Sequence, residues 1–353
     1  MRLGKLTRTA WQRSVRRQLH MENEKQIFPP GSAQSCTGYR AEDGTCFIWA
    51  DAHAAGDSGR TGYYAVLQAA GELAAKGVRP EEVSIHVLLP AETEEEKLKE
   101  LASGIAEACG RMHIRTGAFQ GEVTPAVVHT VVCACASGTM PAGKPEKRTA
   151  PDSARSEEPG GSAEILLCGY AGLEGTLRIL DETEEELSGR FVSAFLDQTR
   201  DLKKDLVMPE QILSCVPEKA RAVRQIGSGG ILAALWELAE EARTGFEIDM
   251  ANIALKQETV EICEFYRLNP YQMTSAGSFL ILTTEAEQVI EILEKSGARA
   301  GRLGVAKAQN ARVITSGEEI RYLDRPAPDE LVKWMAARTP SGTPSETDGS
   351  AAE

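Results

Sequence analysis

The chain has 353 residues, 42% of them hydrophobic and 26% charged, the balance of a globular protein with room for one large or two medium domains. Its net charge of −13 excludes a general nucleic-acid binder, because attraction to a phosphate backbone needs a positive surface. No apolar run approaches the roughly 18 residues that a bilayer crossing requires, so no membrane association is expected. The N-terminal stretch carries the opposite charge, with Arg2, Lys5, Arg8, Arg13, Arg16, Arg17 and Lys25. Trp11, Val15 and Leu19 recur at i, i+4, i+8, so residues 1–24 are expected to form a docked basic helix. Without an apolar h-region or a small-residue cleavage pattern it does not read as a signal peptide, and the expected location is cytoplasmic.

Residues 25–137 read as a first α/β domain. Cys46–Ala50 predicts a short strand ending at Asp51. The spacing of Tyr63, Val66, Leu67 and Leu73 predicts a helix over Gly62–Lys76, with Gly77 as its left-handed C-terminal residue. Val83–Leu89 is a predicted strand, Thr93–Cys109 a helix with an acidic first turn, and Val127–Ala136 a strand of β-branched residues. Residues 138–162, rich in Pro, Gly, Ser and mixed charge, read as a flexible linker, and residues 336–353 as a disordered tail.

Residues 163–335 read as a second domain in the same style. Glu164–Cys168 predicts a strand running into the loop Gly169–Gly172, followed by a charged helix over Thr183–Leu206 with a break near Gly189. Ile231–Ala242 is a predicted amphipathic helix and Ser278–Thr283 a buried strand. Ala286–Lys295 predicts another helix, and Arg312–Ile314 with Ile320–Tyr322 a hairpin. Alternating strands and helices imply an α/β (α+β) layered fold in each half. The eight cysteines are scattered, mostly in apolar runs and without zinc spacing, so buried free thiols are expected, with Cys133 and Cys135 facing a core together.

Several segments, in this order, resemble the AIR synthase-related (PurM-like) superfamily and within it the branch of the hydrogenase maturation factor. They are Gly4–Thr7 with Ser14-Val15 and Gln18-Leu19, Gly62–Val66, Glu72–Pro80, Leu88–Pro90, Gly121–Pro125, Cys168–Gly175, Gly229-Gly230-Ile231 with Ala234–Ala239, Ile262–Phe265, Leu268–Pro270 and Ser275–Ile281. The resemblance implies two AIR synthase-like α/β domains, a homodimer formed through the N-terminal domains, and ATP held in a cleft through Mg2+ and carboxylates. It also implies phosphate cradled by a Gly-rich turn that opens a helix. Carried over residue by residue, the metal ligands would be Asp51, Glu72 and Glu122, with Asp57 close by, and the phosphate turn would be Ser228, Gly229 and Gly230.

Other acidic positions of the pattern have lost their charge. They fall on Ser35, Gln225 and Ser228, and the Gly-Gly-His or Gly-Gly-Asp turn becomes Ala118-Phe119-Gln120. The branch's cysteine near the extreme C-terminus has no counterpart either, because the last cysteine is Cys263. Each retained residue also has a plain structural reading. Asp51 could cap a turn, Glu72 could be a solvated helix residue, Glu122 a local turn acceptor, and Ser228 a helix cap. Three functions therefore stand side by side: an ATP-binding phosphoryl-transfer protein with weakened or lost catalysis, a non-catalytic dimeric binding or regulatory paralogue, and a binder of some other anionic metabolite. The count of retained carboxylates leans to the second.

Overall fold

The computed structural model describes residues 3–19, 26–28, 31–141 and 163–339, and contains two α/β units, each on its own sheet. Helix α1 (Arg8–Trp11) passes directly into a π-helical turn, Gln12–Arg16. The first sheet holds β1 (Cys36–Arg40), β2 (Cys46–Ala55), β3 (Glu82–Leu89), β4 (Arg115–Val123) and β5 (Val131–Met140), in the order β1-β2-β5-β3-β4. In this sheet β3 and β4 pair parallel, and the other described pairs are antiparallel. Helices α2 (Thr61–Ala75) and α3 (Glu95–Met112) cover one face, and Gly77 takes the left-handed conformation expected after α2.

Alternation decides which face that is. Ile48, Ala50, Ala52 and Ala54 of β2 point with Val83, Ile85 and Val87 of β3 into the core that α2 closes. Asp51, His53, Ser84, His86 and Cys133 fall on the other face and are exposed. The cysteine pair thus belongs to the open face rather than to a core. Asp51 lies inside β2 rather than at its end, because β2 continues to Ala55 along the full length of β5.

The second sheet holds β6 (Glu164–Cys168), β7 (Ala222–Gln225), β8 (Gly245–Asp249), β9 (Phe279–Thr283), β10 (Ala300–Lys307), β11 (Arg312–Ser316) and β12 (Glu319–Tyr322), in the order β12-β11-β8-β10-β6-β9-β7. Around it lie α4 (Leu173–Ser188), α5 (Ser193–Asp201), α6 (Pro209–Leu213), α7 (Val216–Lys219), α8 (Gly230–Ala242), α9 (Gln257–Tyr266), α10 (Ala286–Lys295) and α11 (Glu330–Arg338). Both faces are buried. Ile165 and Leu167 pack toward α8, whereas Leu166 and Cys168 pack toward α10 and toward Ala74 and Ala75 of α2. A strand covered on both sides must be apolar throughout, which is why β6 reads as an unbroken hydrophobic run.

Helix α2 is therefore shared between the two units, and its alanines let both layers approach closely. Several boundaries differ from expectation. Strand β5 runs through Gly138 to Met140, where a linker is expected, and Gly138 is a packing residue: a Cβ there would lie 2.1 Å from the Arg79 carbonyl oxygen. The rest of that segment, 142–162, lies outside the described residues, as do 340–353, whereas α11 occupies the start of the expected tail. The helix expected over Thr183–Leu206 is two: α4 begins ten residues earlier, because Leu173, Leu177, Ile179 and Leu180 bury its first turns, and stops at Ser188, so the expected break at Gly189 separates it from α5. The basic segment docks by charge. Lys5 Nζ lies 3.1 Å from Glu237 and Arg8 3.5 Å from Glu240 on α8, while Leu19 stays exposed.

Candidate functional site at the domain junction

Positions that the sequence treats separately converge where α2 meets β7. Ser35 Oγ, just before β1, donates to Glu72 Oε2 at 2.5 Å. Gln225 Nε2, at the end of β7, donates to the Gln68 carbonyl at 2.9 Å and to Glu72 Oε1 at 3.3 Å. Gln225 Oε1 accepts from the Gly277 N–H at 3.4 Å. Ser35 and Gln225 are two of the three neutral residues expected at acidic positions. Here they act as donors that occupy both oxygens of the one carboxylate left between them. Gly71 makes room for the arrangement, since a Cβ there would sit 1.9 Å from Gln225 Oε1.

Beside this trio lies a group invisible in the sequence. Arg224 is buried and gives its Nε to Glu237 at 2.8 Å, one terminal nitrogen to Glu241 at 3.0 Å and the other to the Ala33 carbonyl at 2.6 Å. Burial works against its charge, but Glu237, Glu241 and Glu72 outweigh that and hold its pKa above the ordinary arginine value. Burial likewise opposes ionisation of Glu237 and Glu241, yet Arg224 with Lys5 on the first and Lys76 with Arg224 on the second hold both below the usual carboxylate range. The junction is thus charge-balanced by side chains of the chain itself.

The other expected ligands lie elsewhere. Asp51 lines a concavity on the open face of the first sheet with His53, His86, Gln120, Cys133 and Cys135. Burial, reinforced by a hydrogen bond to Asp51 and its charge, pushes the Cys135 thiol up to about 12, so this cysteine is held as a neutral donor. His53 is shifted down, by burial and by Arg178. Glu122 lies in edge strand β4 opposite Leu88, two residues beyond Gln120 and exposed, rather than in a turn. Asp57 is engaged with His129 Nδ1 at 2.6 Å and the Thr130 N–H at 3.2 Å. Among the described residues, no group of three or more His, Cys, Asp or Glu is placed to hold a metal ion. Asp51, Glu72 and Glu122 do not form one cluster. Cys263 is buried in α9 with its thiol pushed up to about 12, chiefly by burial.

The Gly-rich turn has its own occupant. Gly229 and Gly230 take left-handed φ values of +91° and +67° and open α8 as expected. The Gly229 N–H, however, donates to Asp329 Oδ2 at 2.6 Å, while Asp329 Oδ1 accepts from Leu331 at 2.8 Å. Burial raises this carboxyl to about 6 against the pull of those two N–H groups. Gly230 serves packing: a Cβ would lie 2.5 Å from the Tyr271 carbonyl oxygen. The sequence does hold a faint sign of Asp329, an Asp-Glu pair that could open a helix. Nothing in it marks Arg224.

Residues 164–316 match the family model described as AIR synthase related protein, C-terminal domain. The chain is 28% identical over 143 residues to the carbamoyl dehydratase HypE of Rhodobacter capsulatus, covering 38% of this chain and 42% of that protein. It is 25% identical over 286 residues to the putative hydrogenase expression/formation protein MJ0676 of Methanocaldococcus jannaschii, covering 78% of each. The fold matches that of the hydrogenase maturation protein HypE solved in complex with ATP, at 17% identity and a TM-score of 0.60, over 80% of this chain and 87% of that one. The second domain, residues 164–316, is thus an AIR synthase-related C-terminal domain, and the chain as a whole has the two-domain PurM-like fold.

Proposed function

We propose that this protein is a dimeric AIR synthase-related scaffold in which the magnesium-held ATP site has been disabled, and that it acts as a binding or regulatory module. One observation carries the reading: both oxygens of Glu72 are spent on Ser35 and Gln225. Magnesium keeps several waters but needs at least one or two free carboxylates to anchor it. Each Glu72 oxygen already accepts a hydrogen bond, and the neighbouring acids Glu237 and Glu241 are paired with Arg224, Lys5 and Lys76, which leaves no free carboxylate to anchor the ion. The residues present therefore do not fit the magnesium–nucleotide pair, although a HypE of the same fold was solved with ATP. Thermal melts test this. Ligand at a hundred times its dissociation constant adds about 2.7 kcal/mol, so real binding would move the melt by several degrees. The expected result is no shift at millimolar Mg-ATP. A clear shift that Glu72→Gln abolishes would restore Glu72 as a ligand and overturn the reading.

The dimer is supported by the open face of the first sheet. Tyr39 (48% exposed) stacks on Phe47 (40%) with ring centroids 5.4 Å apart, and Trp49 meets Tyr39 edge-on at 6.2 Å. Large apolar side chains gathered on one uncovered sheet face mark an interaction surface. A second copy would cover them and enclose the concavity around Asp51. Phe47→Asp is expected to convert a dimer into a monomer by light scattering while leaving the circular dichroism unchanged. A wild-type protein that scatters as a monomer would contradict this part.

A further inference from the structure

The open face of the first sheet carries a donor set that the Glu72 junction does not use. His53 on β2 and His86 on β3 each stand directly opposite Cys133 on β5, one on either side of it. Directly opposed residues of an antiparallel pair share a face and have Cβ atoms about 4.5–5.5 Å apart. Two imidazoles therefore flank one thiol in a row across three neighbouring strands. All three residues are exposed, and they line the concavity of about 570 Å3 that Asp51 also borders.

The sheet holds this row firmly. β5 is the central strand, and its pairings with β2 and β3 run through the row without a shift of register. Ala52, Ala134 and Ile85, each one residue away on its strand, are buried on the opposite face and anchor the backbone to the core. The side chains above that backbone are unengaged: no hydrogen bond or ion pair to another described residue holds His53, His86 or Cys133. In the next row, Cys135 is already committed to Asp51 by a hydrogen bond.

We propose that His53, Cys133 and His86 form a zinc site of three protein ligands, with the fourth position open to solvent. Imidazole nitrogen and thiolate sulfur suit zinc, whereas magnesium takes oxygen, so this chemistry differs from that of the carboxylate set expected from sequence. As the side chains stand, no three donors among the described residues converge on one point. Closure needs only the imidazoles to turn toward Cys133 about χ1 and χ2 while the strands stay fixed. Each imidazole then gives a ring-nitrogen lone pair, and the Cys133 thiol proton passes to solvent as the sulfur–zinc bond forms. The site shares no residue with the Glu72 trio, so it is tested apart from the nucleotide reading.

Cobalt(II), which reports its ligands by colour, is the probe. The full chain, treated with a chelator and kept reduced, is titrated with cobalt and then back-titrated with zinc. Expected are tetrahedral visible bands and a sulfur-to-cobalt charge-transfer band that saturate at one ion per chain and vanish as zinc displaces cobalt. Cys133→Ser should abolish the charge-transfer band and Cys135→Ser should keep it. His53→Gln and His86→Gln should each weaken cobalt binding at least about tenfold. The three ligand side chains are exposed, so their replacement leaves the fold in place, which circular dichroism checks. Absence of the charge-transfer band at excess cobalt, a band that follows Cys135 rather than Cys133, or an affinity unchanged in either histidine variant would overturn the assignment.

Discussion

Replacing Arg224 with methionine is expected to destabilise the protein by about 3 kcal/mol, at the low end of what removing one partner of a buried ion pair costs. The side chain keeps its bulk but leaves Glu237 Oε2, Glu241 Oε2 and the Ala33 carbonyl without their donor. The cost stays at the low end because Lys5 still reaches Glu237 and Lys76 still reaches Glu241, and because Glu241 is 36% exposed and partly screened. The pH dependence should change as well. A carboxylate held below its unfolded pKa gives stability that is complete above the unfolded value, 4.5 here, and is lost as pH falls through the folded one. Wild type should therefore lose stability steeply on the acid side, and Arg224→Met should lose less because less remains to lose. Urea melts at neutral and acidic pH check both statements. A neutral-pH difference under about 0.5 kcal/mol, typical of surface changes, would mean that the Arg224 cluster does not hold the junction together.

Gly230→Ala should cost about as much, roughly 3 kcal/mol, combining a left-handed residue with overpacking against fixed atoms. Its φ is +67°, and the added methyl would meet the Tyr271 carbonyl oxygen at 2.5 Å and the Met273 nitrogen at 2.7 Å. Those are backbone atoms, so no rotamer change relieves the contact. α8 would have to slide off the 270–273 segment, loosening the Gly229–Asp329 bond with it. Were Gly230 there to admit a ligand, the alanine variant would keep its stability and lose only binding. A melt within a degree of wild type would favour that ligand role and contradict the packing role.

The layered α/β architecture was legible because period-2 and period-3.6 patterns are local, and β6, α8, β9 and α10 fall close to where the spacing puts them. Strand β4 was not, since as an edge strand it is exposed along its length and carries no alternation of burial. Strand β7 was too short, at four residues, to show a period. For the candidate site, the sequence could tell which acidic positions had become neutral, but not that Ser35 and Gln225 turn toward the same carboxylate from different domains. A contact between residues 153 positions apart leaves no periodic trace. Gly229 and Gly230 read equally as phosphate cradle or helix opening. Only the arrival of Asp329, a hundred residues later, shows what fills the turn.

Calorimetric titration of the wild-type protein with Mg-ATP asks whether the junction around Glu72 still takes a metal-bound triphosphate. With Glu72 bound to Ser35 and Gln225, no saturable heat is expected at millimolar nucleotide. A saturable isotherm with one site per chain, lost in Glu72→Gln, would contradict it.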